Sequence, residues 1–303
     1  MEKVNTANKP HAKAAEPAAD RNLTVNGCVL CHRGCVRENN EDNFFFNGDL
    51  MPENQVDEGA LIQARLTKDF HLFAVCDGMG GLKGGERASA ICVRSMGMLN
   101  SAMPAATVQR AIEIYADKAC EAVYQDSVSI GEDGREGSTL ALLYLAGGRG
   151  YIGNVGDSRV YLLRLGRLYQ LSADQSPVFR MMQRGELTRE QMRKHPQGNV
   201  IGAFIGMRAE KKPAPYVNQF QLPLCEGDRF LLCSDGLSDL LTHEEIQRRL
   251  VDNSDPKTAA SLLVWRAMEL GGKDNTTCMI LDVSGGNLPK ASPASVARLP
   301  QER

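Results

Sequence analysis

The sequence lacks the features that mark membrane-bound, exported and nucleic-acid-binding proteins. No stretch of its 303 residues approaches the roughly 20 apolar residues of a membrane-spanning helix. The first 26 residues carry scattered charge and no apolar core of the length that a secretory signal needs. The formal net charge is only -2, and no long run carries a single sign, which argues against a nucleic-acid-binding surface. We therefore expect a cytoplasmic protein with no membrane span and no nucleic-acid partner.

Cysteine is not scarce, but its distribution argues against crosslinking. The nine cysteines are odd in number and stand mostly in apolar contexts such as FAVCDG and FLLCSDG, which favours reduced, buried thiols. Residues 28–32 are CVLCH, the pattern of covalent haem attachment, yet nothing in the chain indicates export. A zinc site would need four ligands, and no second C-x-x-C or H-x-x-x-H pattern completes one. We interpret this stretch as part of a β-strand.

Composition divides the chain into a folded body between two polar ends. Residues 1–22 are rich in Ala, Pro, Lys and Glu and are expected to form a disordered leader. Residues 285–303 are expected to form a flexible tail of similar kind. No Pro-rich linker interrupts the body, so residues 23–284 are expected to form one domain.

Hydrophobic periodicity predicts an α/β (α+β) protein with its secondary structure in layers. Strands are predicted at 23–36, 70–76, 138–146, 150–155, 158–164, 216–222, 228–233 and 276–283. Helices are predicted to start at 85, 107 and 258, with a shorter helical pair within 176–195. Because the strands come in runs, we expect antiparallel sheets with helices packed outside them.

Two further features of the body carry expectations of their own. Trp265 lies on the apolar face of the predicted helix that starts at 258, and we expect it in the core. Residues 47–66 are expected to be an insertion, either a loop that binds a partner or an extension of a hairpin.

Acidic residues recur at the ends of the predicted strands. A single Asp-Gly pair is most simply an Asx turn that closes a strand. Several such sites in one chain, together with an acidic pair near the N-terminal strand, instead indicate a set of oxygen ligands at the rim of a rigid sheet. Its members are Glu41, Asp42, Asp77, Asp157, Asp235 and Asp274.

An all-oxygen set without paired His or Cys selects Mg²⁺ or Mn²⁺ over zinc or copper. The carbonyl of Gly78, next to Asp77, could supply another oxygen ligand. A carboxylate that bridges two ions about 3.5–4 Å apart would hold a shared water and lower its pKa enough for attack on phosphorus. Arg37 could then bind phosphate oxygens with its planar guanidinium.

Six short blocks carry a resemblance to a known family. They are RENNED (37–42), DGMGG (77–81), GST (137–139), GDSRVY (156–161), CSDGLSD (233–239) and DNTT (274–277). In order and spacing they resemble the metal-dependent protein phosphatases of the PPM family, type 2C, in their bacterial form. The resemblance covers roughly residues 24–283, nearly the whole predicted body.

The resemblance implies a fold, an activity and partners. The fold is a two-sheet antiparallel β-sandwich flanked by α-helices on both sides. The activity is the dephosphorylation of phosphoserine and phosphothreonine in proteins, by a water that bridges two ions, Mn²⁺ or Mg²⁺. The implied partners are phosphoprotein substrates and a cognate bacterial serine/threonine kinase whose action the enzyme reverses.

Site roles are also implied, residue by residue. Asp77 resembles the ligand that bridges the ions and Gly78 the carbonyl ligand, while Asp235 and Asp274 resemble ligands of the other ion. The remaining matches are Glu41 and Asp42, which resemble residues that hold metal-bound waters, and Arg37, which resembles the phosphate-binding arginine. Asp157 and Ser158 resemble structural residues that close a turn beneath the site.

Two departures and one rival interpretation accompany the resemblance. Met79 stands where eukaryotic members have a histidine that could protonate the leaving group, so a water would take that role. A third, weaker ion is left open, because Asp133 and Glu136 have unfamiliar spacing before the GST block. The rival interpretation is an inactive scaffold of the same fold; since Asp77, Asp235 and Asp274 are all present, we expect an active enzyme.

Overall fold

Two antiparallel sheets face each other in the structure, a computed structural model that describes residues 22–51, 59–80, 84–131, 135–207 and 216–300. The expected leader, apart from Asn22, lies outside the described residues. The described strands are β1 (Leu23–His32), β2 (Asp42–Phe46), β3 (Asp49–Leu50), β4 (Ala60–Lys68), β5 (Phe70–Met79), β6 (Gly137–Ser138), β7 (Leu140–Ala146), β8 (Arg149–Val155), β9 (Arg159–Arg164), β10 (Arg167–Gln170), β11 (Asn218–Pro223), β12 (Arg229–Cys233) and β13 (Thr276–Gly285).

The described helices are α1 (Gly84–Ser95), α2 (Ala105–Ser129), α3 (Pro177–Gln183), α4 (Arg189–Arg193), α5 (Asp235–Ser238), α6 (His243–Asp252), α7 (Pro256–Glu269) and α8 (Pro293–Val296). A 3-10 turn, Met96–Met98, extends α1. None of these helices is long and apolar enough to cross a membrane.

The sheets and helices form four layers. One sheet has the strand order β10-β9-β12-β13-β1-β4, and the other has the order β11-β8-β7-β5-β2-β3 with β6 paired to β5. A core cluster that includes Phe44, Phe73 and Phe230 lies between the sheets. A second cluster joins α1 and α2 to the outer face of one sheet, and a third joins α6 and α7 to the outer face of the other. The predicted fold class, an antiparallel sandwich flanked by helices on both sides, is confirmed.

Strand alternation explains the CVLCH stretch. Successive side chains of a strand point to opposite faces, so Cys31 lies in the core between the sheets whereas Cys28 packs under α7. The strand interpretation of residues 28–32 is therefore confirmed, and the two thiols face different layers. All nine cysteines are free, and all but Cys35 are buried.

Several boundaries differ from the sequence predictions. The first strand ends at His32 rather than at 36, because Gly34 (φ 87°) turns the chain; a Cβ there would lie 2.4 Å from the main-chain oxygen of Asp274. Strand β2 and helix α6 were not predicted. Residues 60–66 of the expected insertion belong to β4, an edge strand paired along β1, while residues 52–58 lie outside the described part.

Two expectations about burial are wrong. Trp265 is 59% exposed and lies beside His32, with 6.0 Å between the ring centroids. It falls outside the buried stripe of α7, which is built from small and branched residues such as Ala260, Leu263 and Val264. The flexible tail expected from residue 285 is instead packed against the body as far as residue 300, because Leu299 is 4% exposed at the inter-sheet core.

Candidate active site at the acidic edge

The predicted acidic residues meet at one edge where both sheets contribute. Asp42 of β2 and Asp77 of β5 are opposite each other in the antiparallel register of the second sheet. Asp235 begins α5 directly after β12, and Asp274 lies just before β13, so the first sheet supplies these two carboxylates. Neighbouring strands β12 and β13 pair at Cys233 and Cys278, which brings the two chain segments side by side. We call this set of residues the acidic edge.

Asp42 is the most enclosed member of the acidic edge, with 2% of its surface exposed. Its Oδ2 accepts hydrogen bonds from Ser234 Oγ at 2.7 Å and from Thr277 Oγ1 at 2.6 Å. Burial raises the pKa of Asp42 to about 7, with Asp274 adding to the rise and the two hydroxyls opposing it. The hydroxyls thus hold one oxygen of a carboxylate that burial alone would disfavour as an anion.

Asp77 and Asp235 share an environment that penalises negative charge. Burial, followed by repulsion from Asp42 and Asp235, holds the pKa of Asp77 well above its usual range. Burial and then repulsion from Asp157 do the same for the pKa of Asp235. Carboxylates that raise one another's pKa in this way are close together and lack sufficient compensating positive charge.

Gly78 is required by close packing rather than by its backbone angle. A Cβ on this residue would lie 2.0 Å from the main-chain oxygen of Gly85, at the start of α1. Its N–H donates to the main-chain oxygen of Glu41 at 3.1 Å. The glycine therefore lets β5, α1 and the acidic pair approach one another at the acidic edge.

Glu41 projects into the same region from the loop before β2. Burial raises its pKa, which Arg37 opposes and Asp274 reinforces. A Cβ on Gly85 would lie 2.7 Å from the Glu41 carboxyl carbon, so that carboxyl group packs against the start of α1.

Arg37 reaches the acidic edge from the same loop. Its Nη2 contacts Asp274 Oδ2 at 2.7 Å, and the two side chains are 50% and 37% exposed. An ion pair at this exposure contributes little stability. The Arg37 guanidinium can therefore leave Asp274 for another anion with little loss of stability.

Asn275 and Thr139 were not singled out from the sequence, although both lie in quoted blocks. Asn275 Nδ2 donates to the main-chain oxygens of Arg33 and Asn39, at 2.7 and 2.8 Å, and its Oδ1 accepts from Glu41 N at 2.8 Å. The amide thereby holds the loop that carries Arg37 and Glu41.

Thr139 supports the other side of the acidic edge. Its Oγ1 accepts from Asp77 N at 3.0 Å and lies 2.6 Å from Ser158 Oγ. The GST and GDSR blocks therefore meet beneath Asp77. Because Thr139 and Ser158 are distant from Asp77 in sequence, only the tertiary structure shows that their hydroxyls support the Asp77 main chain.

The residues present fit divalent cations. Among the described residues, no three His, Cys, Asp or Glu side chains are already grouped to hold an ion. Three carboxylate oxygens in the described part of the chain are nevertheless buried without a hydrogen-bond partner: Oδ1 of Asp42 and of Asp235 at the acidic edge, and Oδ1 of the neighbouring Asp157, whose charge raises the pKa of Asp235. Buried anionic oxygens are costly unless a cation compensates them. Of the residues considered for a third ion, Asp133 lies outside the described part, and Glu136 is buried against Gly84.

Comparison with known proteins places this geometry in a family. The family model described as Protein phosphatase 2C matches residues 55–264. The serine/threonine phosphatase stp of Listeria monocytogenes is 30% identical over 256 residues, which cover 82% of this chain and 92% of that protein. The chain belongs to the protein phosphatase 2C family. The predicted resemblance and the predicted enzyme class, a protein-serine/threonine phosphatase, are thereby confirmed.

Solved structures of other family members share the fold. The Mycobacterium tuberculosis phosphatase PstP/Ppp has a TM-score of 0.71 and 28% identity, covering 86% of this chain and 100% of that one. A structure of the PstP catalytic domain in complex with 2 manganese ions has a TM-score of 0.70 and 27% identity, covering 87% of this chain and 100% of that one. Metal dependence is general to the protein phosphatase 2C family.

Proposed function

We propose that this protein hydrolyses phosphoserine and phosphothreonine in cytoplasmic phosphoproteins, using two divalent cations, Mn²⁺ or Mg²⁺, at the acidic edge. Its phosphatase domain spans residues 23–284, against which residues 285–300 pack, and it reverses the action of a bacterial serine/threonine kinase. The family membership and the phosphatase names of the relatives support this substrate class. The acidic edge supports the requirement for cations.

The cations would be held by Asp77, the carbonyl of Gly78, Asp235 and Asp274. When bound, two such ions would supply a bridging water of lowered pKa that attacks phosphorus. Their positive charge would also remove the mutual repulsion that raises the pKa values of Asp77 and Asp235.

The remaining site residues orient the reactants. Glu41 and Asp42 accept hydrogen bonds from waters at the acidic edge, and Asp42 is held for this by Ser234 and Thr277. Arg37 releases Asp274 and presents two N–H groups to the phosphoryl oxygens, offsetting their charge as the leaving group departs. Asn275 keeps Arg37 and Glu41 in register because it bonds the loop between them.

One observation carries the proposal: buried carboxylate oxygens without donors converge at an edge that both sheets build. A chain selected only as a scaffold would gain stability by replacing such carboxylates with neutral side chains. Bound cations would compensate the buried negative charge, which explains why the carboxylates are kept.

The test is hydrolysis of a phosphothreonine peptide by the wild type and by Asp235→Ala, each with Mn²⁺, with Mg²⁺ and with a chelator. We expect turnover by the wild type only with metal, and a loss of orders of magnitude in the variant. Asp117→Ala, at an exposed position of α2, is the matched control and should retain wild-type turnover. A folded wild type that is inert under every metal condition would support the scaffold alternative instead.

A further inference from the structure

Cys31, near the end of β1, carries a buried thiol that the proposed mechanism does not use. It is 0% exposed and belongs to the core between the sheets. Its Sγ lies 3.2 Å from Asn40 Nδ2 and 3.1 Å from Thr277 Oγ1. By contrast, the Sγ of Cys28 in the same strand contacts the main-chain oxygen of Val29, at 3.8 Å. Cys31 therefore contacts polar side chains of the two chain segments that lead to the acidic edge.

Four residues around this thiol form a closed ring of hydrogen bonds. Asp42 N donates to Asn40 Oδ1 at 3.2 Å, and Asn40 Nδ2 donates to Cys31 Sγ. Thr277 Oγ1 lies between Cys31 Sγ, at 3.1 Å, and Asp42 Oδ2, at 2.6 Å. Each of the four residues is at most 2% exposed, so bulk water does not compete for these bonds. We call Cys31, Asn40, Asp42 and Thr277 the Asp42 ring.

The number of donors fixes the order of the protons in the Asp42 ring. An ionised carboxylate only accepts, so the single proton of the Thr277 hydroxyl goes to Asp42, the nearer of its two side-chain partners. The Thr277 oxygen then accepts from the remaining donor, the S–H of Cys31. Burial, and then the charge of Asp42, raises the pKa of Cys31 to about 12. The thiol therefore keeps the proton that it donates.

The Asp42 ring determines how the Asp42 carboxyl group is oriented. Oδ2 accepts from Thr277 and from Ser234, which leaves Oδ1 as the oxygen that can accept from a water at the acidic edge. A hydroxyl turns freely about its C–O bond unless its lone pairs are also engaged. Because the Cys31 thiol engages a lone pair of Thr277, the Thr277 proton stays directed at Asp42. Bonds linked in this way also strengthen one another.

We propose that Cys31 is a positioning residue, whose thiol orients the Thr277 hydroxyl and, through it, the Asp42 carboxylate at the acidic edge. Cys31 lies in the core between the sheets, so it acts on the reactants only through Asp42. Its effect falls on the rate of the chemical step rather than on substrate binding, because Arg37, the proposed phosphate-binding residue, is not a member of the ring. The inference rests on the proposed function, in which Asp42 orients a water.

The experiment measures kcat and KM of the full chain for para-nitrophenyl phosphate with Mn²⁺. Cys31→Ala removes the donor, and we expect kcat to fall about tenfold while KM changes by less than about twofold. Cys31→Ser keeps a donor and should recover most of the lost kcat. The matched control is Cys28→Ala, which makes the same truncation at a buried position of the same strand, beneath α7, and should keep the wild-type kcat.

Equal kcat values for Cys31→Ala and Cys28→Ala would overturn the inference, since a merely structural role affects both truncations alike. A Cys31→Ser variant with no more activity than Cys31→Ala would overturn it as well, because the donor would then be irrelevant. If Cys31→Ala does not fold, Cys31→Val, which occupies the space of the thiol without a donor, replaces it. An unchanged kcat in that folded variant is equally decisive against the idea.

Amide hydrogen exchange of the metal-free protein in chelator, followed by NMR, gives a readout that needs no activity. Without the Cys31 sulfur, the Asn40 side chain loses the partner of its Nδ2, and its Oδ1 holds Asp42 N less firmly. The Asp42 amide should therefore exchange about tenfold faster in Cys31→Ala than in Cys28→Ala. If the wild type proved inactive and the proposed function failed, equal exchange rates in the two variants would still refute the Asp42 ring.

Discussion

Replacing Thr277 with Val removes one of the two hydroxyls that hold the buried carboxylate of Asp42. Thr277 Oγ1 donates to Asp42 Oδ2 at 2.6 Å, and Ser234 Oγ donates to the same oxygen at 2.7 Å. The opposite oxygen, Oδ1, has no hydrogen-bond partner among the residues that the structure describes, so the variant would leave the carboxylate with a single donor. A hydrogen bond to a charged group contributes about 1.5–3 kcal/mol, and we expect the free energy of unfolding to fall by about that amount.

The assay is urea unfolding of the metal-free protein in chelator, above pH 7 so that the Asp42 carboxyl, whose pKa is about 7, is ionised in the folded state. Thr67→Val is the matched control, because Thr67 lies on β4 with an exposed hydroxyl that contacts only Thr24 in the hydrogen bonds described. The control should change the free energy of unfolding by no more than about 0.5 kcal/mol. If Thr277→Val were as stable as the control, the hydroxyl would not be what holds the Asp42 carboxylate, and the reasoning would be refuted.

Three further predictions follow from burial. Arg164→Met should lower the free energy of unfolding in urea by about 3–5 kcal/mol, because it leaves the carboxylate of Asp228 without its ion-pair partner at a site where both side chains are 1% exposed. A change near zero would contradict this prediction. Burial lowers the pKa of His71, so below about pH 6.5 the unfolded state takes up a proton that the folded state does not. The free energy of unfolding should therefore decrease as the pH is lowered through that range, by up to about 1.4 kcal/mol per pH unit more in the wild type than in His71→Gln. Parallel pH profiles of the two proteins would disprove this prediction. The single tryptophan, Trp265, is 59% exposed, so iodide should quench its fluorescence in the folded protein, and protection from iodide would place it in the core after all.

The elements that the sequence predicted well are those whose pattern is local. Strands β7 and β12 are nearly continuous apolar runs, and α2 and α7 repeat apolar residues at helical spacing, so the pattern predicts each within a few residues of its ends. Strand β4 alternates as ALIQARLTK, but it stands within a polar stretch whose composition favours an insertion. Its place in the sheet comes from pairing along β1, a long-range contact that no local pattern contains.

The C-terminal segment and Trp265 were mispredicted for related reasons. The composition of residues 285–303 is typical of a flexible tail, yet Leu299 enters the end of the inter-sheet core and the main-chain oxygen of Ser295 accepts from the buried Arg164 at 2.9 Å. Trp265 lies close to the buried stripe of α7 in the helical pattern. The width of that stripe depends on the sheet beneath it, which accepts small residues and leaves the large ring at the surface.

The sequence by itself determined the chemistry of the acidic edge. The residue types of Asp77, Asp235 and Asp274, without paired His or Cys, predict hard divalent cations wherever the chain brings them together. Their ordered blocks also identified the family before any contact was known.

Only the tertiary structure decided how those residues are held. Alternation along a strand tells which face a side chain occupies, but not which strand will lie beside it. The pairing that sets Asp42 opposite Asp77, the hydrogen bonds of Ser234 and Thr277 to Asp42, and those of Asn275 to Asn39 and Glu41 all join residues distant in sequence. Such contacts form because burying the apolar faces of two sheets at once selects one arrangement of the whole chain, and the polar groups at its edge acquire their partners as a consequence.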